Sequence, residues 1–227
     1  MPLTRLARRA MLATVVAATT ACAPGHADTP SSPPPGTTTA TSTAPSGARA
    51  ALDTLRVAAS GPMTGYSDKQ FPHWISQRAA GKGCDTREVV LKRDGRAVTV
   101  NTDCSPVSGT WISPYDNETW TKASDVDIDH VVPRGNAWIS GAATWTPQQR
   151  TEFANDLVRP ELIAVTDNLN QQKRDKSPDQ WKPPLVSYWC TYATNWITVK
   201  AHWHLTITDA EKTALADMLR RCPAPPR

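Results

Sequence analysis

The sequence lacks a hydrophobic run long enough to cross a bilayer. The apolar segment near its start, residues 10–21, has 12 residues, whereas a transmembrane helix needs roughly 20. The chain also lacks an internal repeat and the paired CxxC spacing that is typical of structural zinc sites. These absences argue against a membrane-spanning protein, a repeat protein and a zinc ribbon.

The chain has little net charge once its N-terminal region is set aside. Its formal charge is +4, of which Arg5, Arg8 and Arg9 contribute three positive charges. Asp28 and Arg49 cancel, so that about +1 remains on the rest of the chain. Net charge therefore gives no indication of a polyanionic partner, and such a partner has to be inferred from local clusters.

Residues 1–22, "MPLTRLARRAMLATVVAATTAC", have the organisation of a secretory signal, with basic residues before the apolar segment. The signal ends in small residues and Cys22, which resembles the lipobox of bacterial lipoproteins, although Thr19 replaces the usual leucine. We therefore predict export and lipidation of Cys22, which would anchor the protein at the outer face of the cell membrane. Ordinary cleavage, which would release a secreted protein, is the alternative.

Residues 23–49 form a predicted linker, because 19 of these 27 residues are Pro, Gly, Ser or Thr. Residues 50–227 remain for a single domain that is large enough to bury a core. The expected organisation is therefore a signal at 1–22, a linker at 23–49 and one domain at 50–227.

Four cysteines follow Cys22, and an even number in an exported chain indicates two disulfides. Four cysteines allow three pairings, and we predict the pairing between neighbours in sequence, in which each bridge contributes roughly 3 to 4 kcal/mol. The predicted disulfides are Cys84–Cys104 and Cys190–Cys222.

Local patterns predict two hairpins in the first half of the domain. Alternating apolar residues on both sides of Asp94 and Gly95 predict one hairpin within "REVVLKRDGRAVTVN". The segment "GTWISPYDNETW" predicts a second hairpin, with its turn at residues 114–117. Hairpins followed by helices are typical of an α+β domain.

Four helices are predicted around these strands. The first lies in "ARAALDTLRVA", and the second begins with Thr146 as N-cap and Pro147 at its first position. The others lie in "LVSYWCTYATNWITVKAHW" and in "TDAEKTALADMLRRC", where Thr208 and Glu211 form a predicted capping box.

The run "DVDIDHVVPR" at residues 125–134 is the most informative stretch of the chain. In a regular strand Asp125, Asp127 and Asp129 would share one face, where carboxylates repel one another unless a cation or hydrogen-bond donors lie beside them. Asp129 precedes His130, and such a pair can serve a divalent ion and a general base together. The alternative is an exposed strand edge with a histidine that is satisfied in the core.

A second segment, "PELIAVTDNLNQQKRDKSPDQWKPP", favours the chemical interpretation. It predicts a buried strand, "ELIAVT", that leads into a helix starting at Asp167 or Asn168. Asn170 and Lys173 would then lie one turn apart on the same face of that helix.

Together these motifs resemble those of the HNH, or ββα-metal, nucleases. The resemblance extends from "GYSDKQFPHW" and "CDTREVVLKRDG" through "SPYDNETW" to "CTYATNWITVKAHWHL", and so covers nearly all of the domain. It is strongest to the branch that includes the C-terminal domain of GmrSD-type restriction enzymes and many small exported proteins. It implies a ββα-metal core within an α+β fold, elaborated with hairpins and C-terminal helices.

The resemblance also implies roles for individual residues. Asp129 matches a metal ligand and His130 the general base, while Asn170 matches the second metal ligand. Lys173 matches a catalytic basic residue that faces the phosphate, and Asp127 is an auxiliary carboxylate of the metal site. Oxygen ligands of this kind suit Mg²⁺ or Mn²⁺.

Three further positions leave alternatives open. Glu161 stands where the family usually has an asparagine that ties the loop between the strands. Arg174 stands where many relatives have glycine, and it either perturbs the helix or contacts a phosphate. Arg87 either pairs with an aspartate beside a disulfide or binds a phosphate. We take Arg87 and Arg174 as substrate-binding residues.

The expected function is that of an exported, metal-dependent endonuclease that hydrolyses phosphodiester bonds in DNA, with RNA left open as a substrate. Little sequence preference is expected, because no separate recognition domain is present. We expect a monomer that reaches the membrane through its lipid anchor and has no protein partner. One alternative is a catalytically weak, nuclease-like lipoprotein that binds nucleic acid or a cell-envelope partner; another is a lipoprotein whose acidic face binds calcium.

Overall fold

The computed structural model describes residues 44–223, so that the predicted signal, Cys22 and most of the predicted linker lie outside the described residues. Helix α1 (Ala44–Thr54) already begins within the predicted linker, six residues before the expected start of the domain. Its buried residues Leu52 and Ala48 join the main core. Within residues 44–223 no helix is long and apolar enough to span a membrane.

The first predicted hairpin is wrong in its first half, because residues 86–94 form helix α2 (Thr86–Asp94). Asp85 caps this helix: its side chain accepts a hydrogen bond from the Glu88 N–H at 3.1 Å, and the Glu88 carboxylate accepts from the Asp85 N–H at 3.3 Å. A capping box of this kind favours a helix even where the apolar pattern suggests a strand. Gly95 then ends the helix, where a Cβ atom would lie 2.6 Å from the Trp111 indole nitrogen.

A three-stranded antiparallel sheet follows, with β2 at its centre. It contains β1 (Arg96–Val100), β2 (Pro106–Ile112) and β3 (Thr119–Trp120). The pairing of β2 with β3 confirms the second predicted hairpin, whose turn lies between residues 113 and 118. The disulfide Cys84–Cys104 ties the start of α2 to the loop between β1 and β2.

The chemical motifs lie on a second sheet of two antiparallel strands, β4 (Val126–His130) and β5 (Leu162–Thr166). The register pairs Val126 with Thr166 at one end and His130 with Leu162 at the other. Helix α5 (Asp167–Lys173) starts directly after β5 and packs on both strands. Within this unit of two antiparallel strands and a helix, β4 and α5 carry five of the seven predicted site residues.

Helices α3 (Arg134–Ile139) and α4 (Pro147–Ala154) form the insertion between β4 and β5. The predicted start of α4 is confirmed, since the Thr146 hydroxyl accepts a hydrogen bond from the Gln149 N–H at 3.2 Å and the Gln149 side-chain oxygen accepts one from the Thr146 N–H at 2.9 Å. Phe153 near the end of α4 is fully buried, and it anchors the insertion in the core.

The C-terminal helices α6 (Trp189–His202) and α7 (Asp209–Leu219) complete the main core. The second predicted disulfide, Cys190–Cys222, links the start of α6 to the segment that follows α7. The predicted capping box of α7 is only half present: Thr208 caps the Glu211 N–H at 3.1 Å, but the Glu211 carboxylate turns inward to Lys200 and Trp196.

Two apolar clusters lie beside the two-stranded sheet. The larger one is formed mainly by the helices and includes Phe153, Trp196 and Leu215. The smaller one joins α2 and β2 to one face of the two-stranded sheet through Leu91, Trp111 and other residues. The α+β class is therefore confirmed. The two-stranded sheet that carries the motifs packs against both apolar clusters.

Candidate functional site

An open cleft of about 450 Å³ lies where β4, the start of α3, helix α5 and the segment 66–74 meet. Six of the seven residues predicted for catalysis, metal or substrate binding border it. Its lining includes Asp127, Asp129, His130, Asn170, Arg87 and Arg174, together with Tyr66, Asp68, Trp74, Arg134, Gln171 and Asp175. Residues that are far apart in sequence thus share one concave surface that is rich in charge.

Five of these predicted residues come from β4 and from α5 with its C-terminal residue Arg174, and Arg87 reaches the cleft from α2 as a sixth. The seventh, Lys173, lies on the inner side of α5 and is fully buried. The topology therefore gathers the motif residues at the cleft with this single exception.

His130 is held between two aromatic rings at the end of β4. Its imidazole stacks on Trp74, with ring centroids 5.7 Å apart, and on Phe153 at 6.4 Å. Its Nε2 lies 3.0 Å from the Ala154 carbonyl oxygen. A neutral imidazole that donates from Nε2 keeps Nδ1 as its basic nitrogen.

The surroundings of His130 favour its neutral form. Burial lowers the pKa of His130 well below the ordinary value of 6.5, and the nearby positive charge of Arg134 lowers it further. The hydrogen bond to Ala154 acts in the opposite direction but is the weaker influence. A histidine that is neutral near pH 7 can accept a proton, as a general base must.

Asp129 and Lys173 form a buried ion pair beside the cleft. The Lys173 ammonium lies 2.9 Å from each oxygen of the Asp129 carboxylate, and it also donates to the His130 carbonyl oxygen at 2.8 Å. The Tyr115 hydroxyl donates to Asp129 Oδ2 at 2.5 Å. Burial raises the pKa of Asp129, and the Lys173 charge opposes that rise.

The contacts of Lys173 differ from those expected of the role that the resemblance implies for it. Its ammonium donates hydrogen bonds to Asp129 and to the His130 carbonyl oxygen, so that it does not face a phosphate in the cleft. Lys173 instead holds the end of β4, where the general base was predicted, against α5. A buried lysine without such partners would cost several kcal/mol.

Asp127 and Asn170 meet across the interface between β4 and α5. The Asn170 amide nitrogen lies 3.1 Å from Asp127 Oδ2, and both side chains border the cleft. Burial raises the pKa of Asp127, which is half-buried, and the neighbouring Asp167 carboxylate raises it further, whereas the bond from Asn170 lowers it. A carboxylate in this position gains from a nearby cation.

The donor set at this point fits a hard divalent ion. Asp127 supplies carboxylate oxygens, and Asn170 would supply its amide oxygen after a rotation of the amide group, whose two orientations differ only in hydrogen bonding. Within residues 44–223 no group of three His, Cys, Asp or Glu side chains is arranged to hold a metal. Mg²⁺ needs no such cage, since it keeps several waters and binds through one or two carboxylates together with substrate phosphates.

The two predicted substrate-binding arginines occupy different positions at the cleft. Arg87 on α2 donates to the carbonyl oxygens of Ala123 and Val126, both at 3.0 Å, and so ties α2 to the start of β4. It pairs with no aspartate among the described residues. Arg174 is exposed and ends α5 in a left-handed conformation, with a φ of 50°.

Glu161 holds the loop that the resemblance assigns to an asparagine at this position. Its Oε2 accepts a hydrogen bond from the Val132 N–H at 3.0 Å, and its carbonyl oxygen accepts from the Val131 N–H at 2.7 Å. The loop needs an acceptor at this position, which glutamate supplies. Oε1 is buried without a hydrogen-bond partner in the described structure, and burial raises the pKa of Glu161 well above its ordinary value.

Sequence reasoning missed several residues that shape the site. Tyr115 lies in the quoted segment "SPYDNETW" but carried no sign that its hydroxyl reaches Asp129, 14 residues away. Trp74 stacks on His130 from a segment 56 positions earlier, and its φ of 57° marks an unusual backbone conformation. Arg134, four residues after His130, could have been found as a basic residue next to the predicted base.

Gly135 shows how closely the insertion approaches α5. Its N–H donates to the Asp175 carboxylate at 3.1 Å, and a Cβ atom at this position would lie 2.5 Å from the carboxylate carbon. A side chain larger than hydrogen therefore cannot fit without moving Asp175. This contact holds the start of α3, and with it Arg134, at the edge of the cleft.

Comparison with known proteins confirms the family resemblance that the sequence motifs indicate. Residues 99–218 match the sequence profile of the family described as GmrSD restriction endonucleases, C-terminal domain. An uncharacterized secreted protein of Arthroderma benhamiae is 52% identical over 211 residues, which cover 93% of this chain and 98% of that protein. No solved structure matches this chain.

Proposed function

Because the chain belongs to the family of the GmrSD restriction endonuclease C-terminal domain, we propose that it is an exported, metal-dependent endonuclease that hydrolyses phosphodiester bonds. The observation that carries this proposal is the convergence of His130, Asp127 and Asn170 at one cleft. Metal-dependent phosphodiester hydrolysis requires a neutral general base close to oxygen atoms that can ligate a divalent cation.

In the proposed reaction His130 removes a proton from the attacking water. Its stacked position between Trp74 and Phe153 fixes the ring, and the Ala154 carbonyl fixes the tautomer with the proton on Nε2. Both contacts are in place before the substrate binds, which reduces the cost of organising the site during the reaction.

Asp127 and Asn170 are the residues proposed to hold the divalent ion, Mg²⁺ or Mn²⁺. When bound, this ion would polarise the phosphoryl group and stabilise the charge that develops on the leaving oxygen. The resemblance assigns the first ligand to Asp129, but its carboxylate oxygens already accept hydrogen bonds from Lys173 and Tyr115. We therefore propose Asp127 as the main carboxylate ligand, with Asp129 beside it as a residue that positions β4.

Arg87 and Arg174 are proposed to contact the phosphates that flank the scissile bond, because both border the cleft. Arginines at such positions bind a phosphate through paired hydrogen bonds, without reading the bases. We propose DNA as the substrate, with low sequence specificity, and RNA as a second substrate. The protein is proposed to act as a monomer.

Export is proposed from the signal at residues 1–22 and from the two disulfides, which form in oxidising compartments. The Arthroderma relative is a secreted protein, which supports the same location. Lipidation of Cys22 is part of this proposal. Radiolabelled fatty acid should enter the wild type and not Cys22→Ser, and absence of label from both would remove the membrane anchor.

The function is tested by incubating the purified protein with supercoiled plasmid and with RNA, with Mg²⁺ or Mn²⁺ and with EDTA. We expect EDTA-sensitive cleavage. His130→Ala should lower the cleavage rate by roughly 10² to 10⁴ while metal binding is retained. Asp127→Ala and Asn170→Ala should instead weaken metal affinity, so that excess metal partly restores their activity. Asp129→Ala tests the assignment that the resemblance implies. Rescue of this variant by excess metal would show that Asp129 is a metal ligand.

A double variant distinguishes a shared mechanism from independent effects. His130→Ala combined with Asn170→Ala should lose much less activity than the product of the two single losses, because residues that act as one unit are not additive. Full activity of folded His130→Ala would show that the base has been assigned wrongly.

The closed Asp129–Lys173 pair favours one alternative, a nuclease-like module that binds nucleic acid with little or no cleavage. A wild type that binds DNA or RNA but cleaves neither under any metal condition would support it.

A further inference from the structure

We infer that Arg134 binds the phosphate group next to the reacting one, and that Asp68 and His73 hold its guanidinium in the cleft until the substrate arrives. This inference rests on the proposed function, because it assigns the substrate anion to the same cleft. Arg134 stands at the first position of α3, directly after Pro133, and its side chain is 20% exposed. It borders the cleft together with His130.

Position distinguishes Arg134 from the other two arginines of the cleft. Arg87 donates to two backbone carbonyls, and Arg174 is an exposed residue at the end of α5. Arg134 is the cation with the largest electrostatic influence on His130. Because Arg134 and His130 border the same cleft, a phosphate bound by this guanidinium would lie in the cleft that holds the proposed base.

The present partners of Arg134 leave its charge available. One carboxylate, that of Asp68, pairs with it within residues 44–223, at 3.3 Å, and the Asp68 side chain is 72% exposed. A pair of this kind contributes little, because solvent screens it. A phosphodiester carries the same single charge as this carboxylate but can present two oxygens to the planar fork, whereas Asp68 makes one contact at 3.3 Å, so that the phosphodiester competes well.

His73 supplies the second contact, but the Phe71 carbonyl oxygen competes for the same ring nitrogen of His73. Its Nδ1 lies 2.8 Å from the nearer Arg134 guanidinium nitrogen and 2.9 Å from the Phe71 carbonyl oxygen. With Nδ1 unprotonated His73 accepts from Arg134; with Nδ1 protonated it donates to Phe71 and leaves Arg134 without that acceptor. These contacts orient the Arg134 guanidinium but, within the described residues, leave some of its N–H groups free to donate to a phosphate.

The backbone around Arg134 has little freedom to place it elsewhere. Gly135 is fixed against the Asp175 carboxylate, and Val131 and Val132 are fixed by Glu161. Arg134 therefore lies between two anchored segments, as expected for a side chain that must meet a substrate group within a narrow range of positions.

The experiment measures binding separately from cleavage. A 5′-fluorescein-labelled, 12-nucleotide single-stranded DNA is titrated with the purified protein in EDTA, and anisotropy gives the Kd at several salt concentrations. Arg134→Ala should raise the Kd about 10-fold, and should reduce the slope of log Kd against log salt by about 0.7, the value for one phosphate on a single strand. Arg134→Lys keeps the charge without the fork and should give an intermediate Kd.

Two further variants separate binding from structural support. Asp68→Asn removes the competing carboxylate and should lower the Kd about threefold, since the guanidinium is then released for the phosphate. Arg96→Ala is the matched control for loss of one positive charge, because Arg96 is exposed on β1 and does not border the cleft. Its Kd should equal that of the wild type.

The inference is overturned if folded Arg134→Ala and Arg134→Lys bind the probe as the wild type does, or if Asp68→Asn lowers the melting temperature and leaves the Kd unchanged. Either result would make Arg134 a structural tie between α3 and the segment 68–73. Failure of the proposed function has a different signature: the wild type would bind the probe through Arg134 yet cleave no substrate when metal is added.

Discussion

Two fully buried lysines of this protein form similar ion pairs in different regions. Lys173 pairs with Asp129 beside the cleft, and Lys200 pairs with Glu211 at 2.9 Å in the helical core. The partners of Lys200 include the Thr206 carbonyl oxygen at 2.9 Å, and Trp196 donates to Glu211. None of these core residues borders the cleft at β4 and α5.

The comparison teaches that one electrostatic arrangement serves two purposes. In the helical core the pair joins α6 to α7, which are also linked through the disulfide Cys190–Cys222. At the site the pair joins α5 to the end of β4, where the His130 carbonyl oxygen also accepts a hydrogen bond from Lys173. Breaking either pair should therefore affect stability, whereas only the pair at the site should affect the reaction.

The largest expected effect on stability comes from removing the lysine of either pair. Lys173→Met or Lys200→Met alone should lower the free energy of unfolding by about 3–5 kcal/mol, because each leaves a buried carboxylate without its partner. The double variants Lys173→Met with Asp129→Leu, and Lys200→Met with Glu211→Leu, should recover much of that stability in urea titrations. Cleavage by the first double variant should nevertheless fall by at least about 10², since His130 loses its support.

The second double variant is the internal control for this comparison. Lys200→Met with Glu211→Leu should cleave at the wild-type rate once folded. Wild-type cleavage by both double variants would show that the two pairs do not differ in function.

The two disulfides extend the comparison to covalent links. Replacing Cys190 and Cys222 by serine should lower the free energy of unfolding by about 3–4 kcal/mol, because the bridge closes a loop of 32 residues and the entropy it removes from the unfolded chain grows with the logarithm of loop length. Replacing Cys84 and Cys104, which close a loop of 20 residues, should cost slightly less. Thermal melts of the oxidised variants measure both, and a larger loss for the shorter loop would contradict the chain-entropy argument.

Glu161, close to the pair at the site, gives a pH-dependent effect. Its pKa is raised in the folded state, so that the folded protein binds its proton more tightly than the unfolded chain does. The free energy of unfolding should therefore decrease as the pH rises above about 4.5, the ordinary pKa of glutamate. Glu161→Gln removes this loss and should be about 1–3 kcal/mol more stable than the wild type at pH 8.

The advantage of Glu161→Gln should shrink as the pH falls towards the ordinary glutamate value, because both proteins are then neutral at this position. Urea titrations between pH 4.5 and pH 8 follow the difference. Glu152→Gln, on the exposed side of α4, is the control and should show no such trend. A difference that is constant with pH would refute the raised pKa as its cause.

The smallest expected effect concerns Arg174, next to Lys173. Its φ of 50° and ψ of −133° lie in a region that suits glycine. Arg174→Gly should therefore raise the free energy of unfolding by about 1 kcal/mol, whereas Arg174→Ala keeps the strain and should not. Melting temperatures of the two variants compare them directly. Equal values would show that the backbone at this position carries no strain.

Part of the fold could be predicted because its signals are local. The caps at Thr146 and Thr208 and the turn between β2 and β3 depend on residues within a few positions of one another. The hairpin predicted around Gly95 failed for the same kind of reason: the capping box of Asp85 and Glu88 outweighs an alternating apolar pattern that lies over it. Short apolar runs are compatible with both structures until a cap decides.

The motifs predicted residues of which six border one cleft, but they did not predict the contacts of those residues. The burial of Lys173 depends on Tyr115 and Asp129, which arrive from other segments of the chain. The aromatic rings that hold His130 come from residues 74 and 153. Hydrophobic periodicity gives no information about such pairs, because it describes only which face of one element is buried.

By itself the sequence indicated two disulfides, the α+β class, and the strands and helix that carry the motif residues; the structure has the sequence-local pairing out of the three that four cysteines allow. These features follow from composition, from caps and from the order of elements along the chain. The tertiary structure alone decided that Lys173 turns inward to Asp129, that Asp127 meets Asn170, and that Arg134 stands beside His130 at the cleft. The physical reason is that burial and hydrogen bonding depend on which distant segments pack together, and a buried charge takes whichever partner that packing brings within reach.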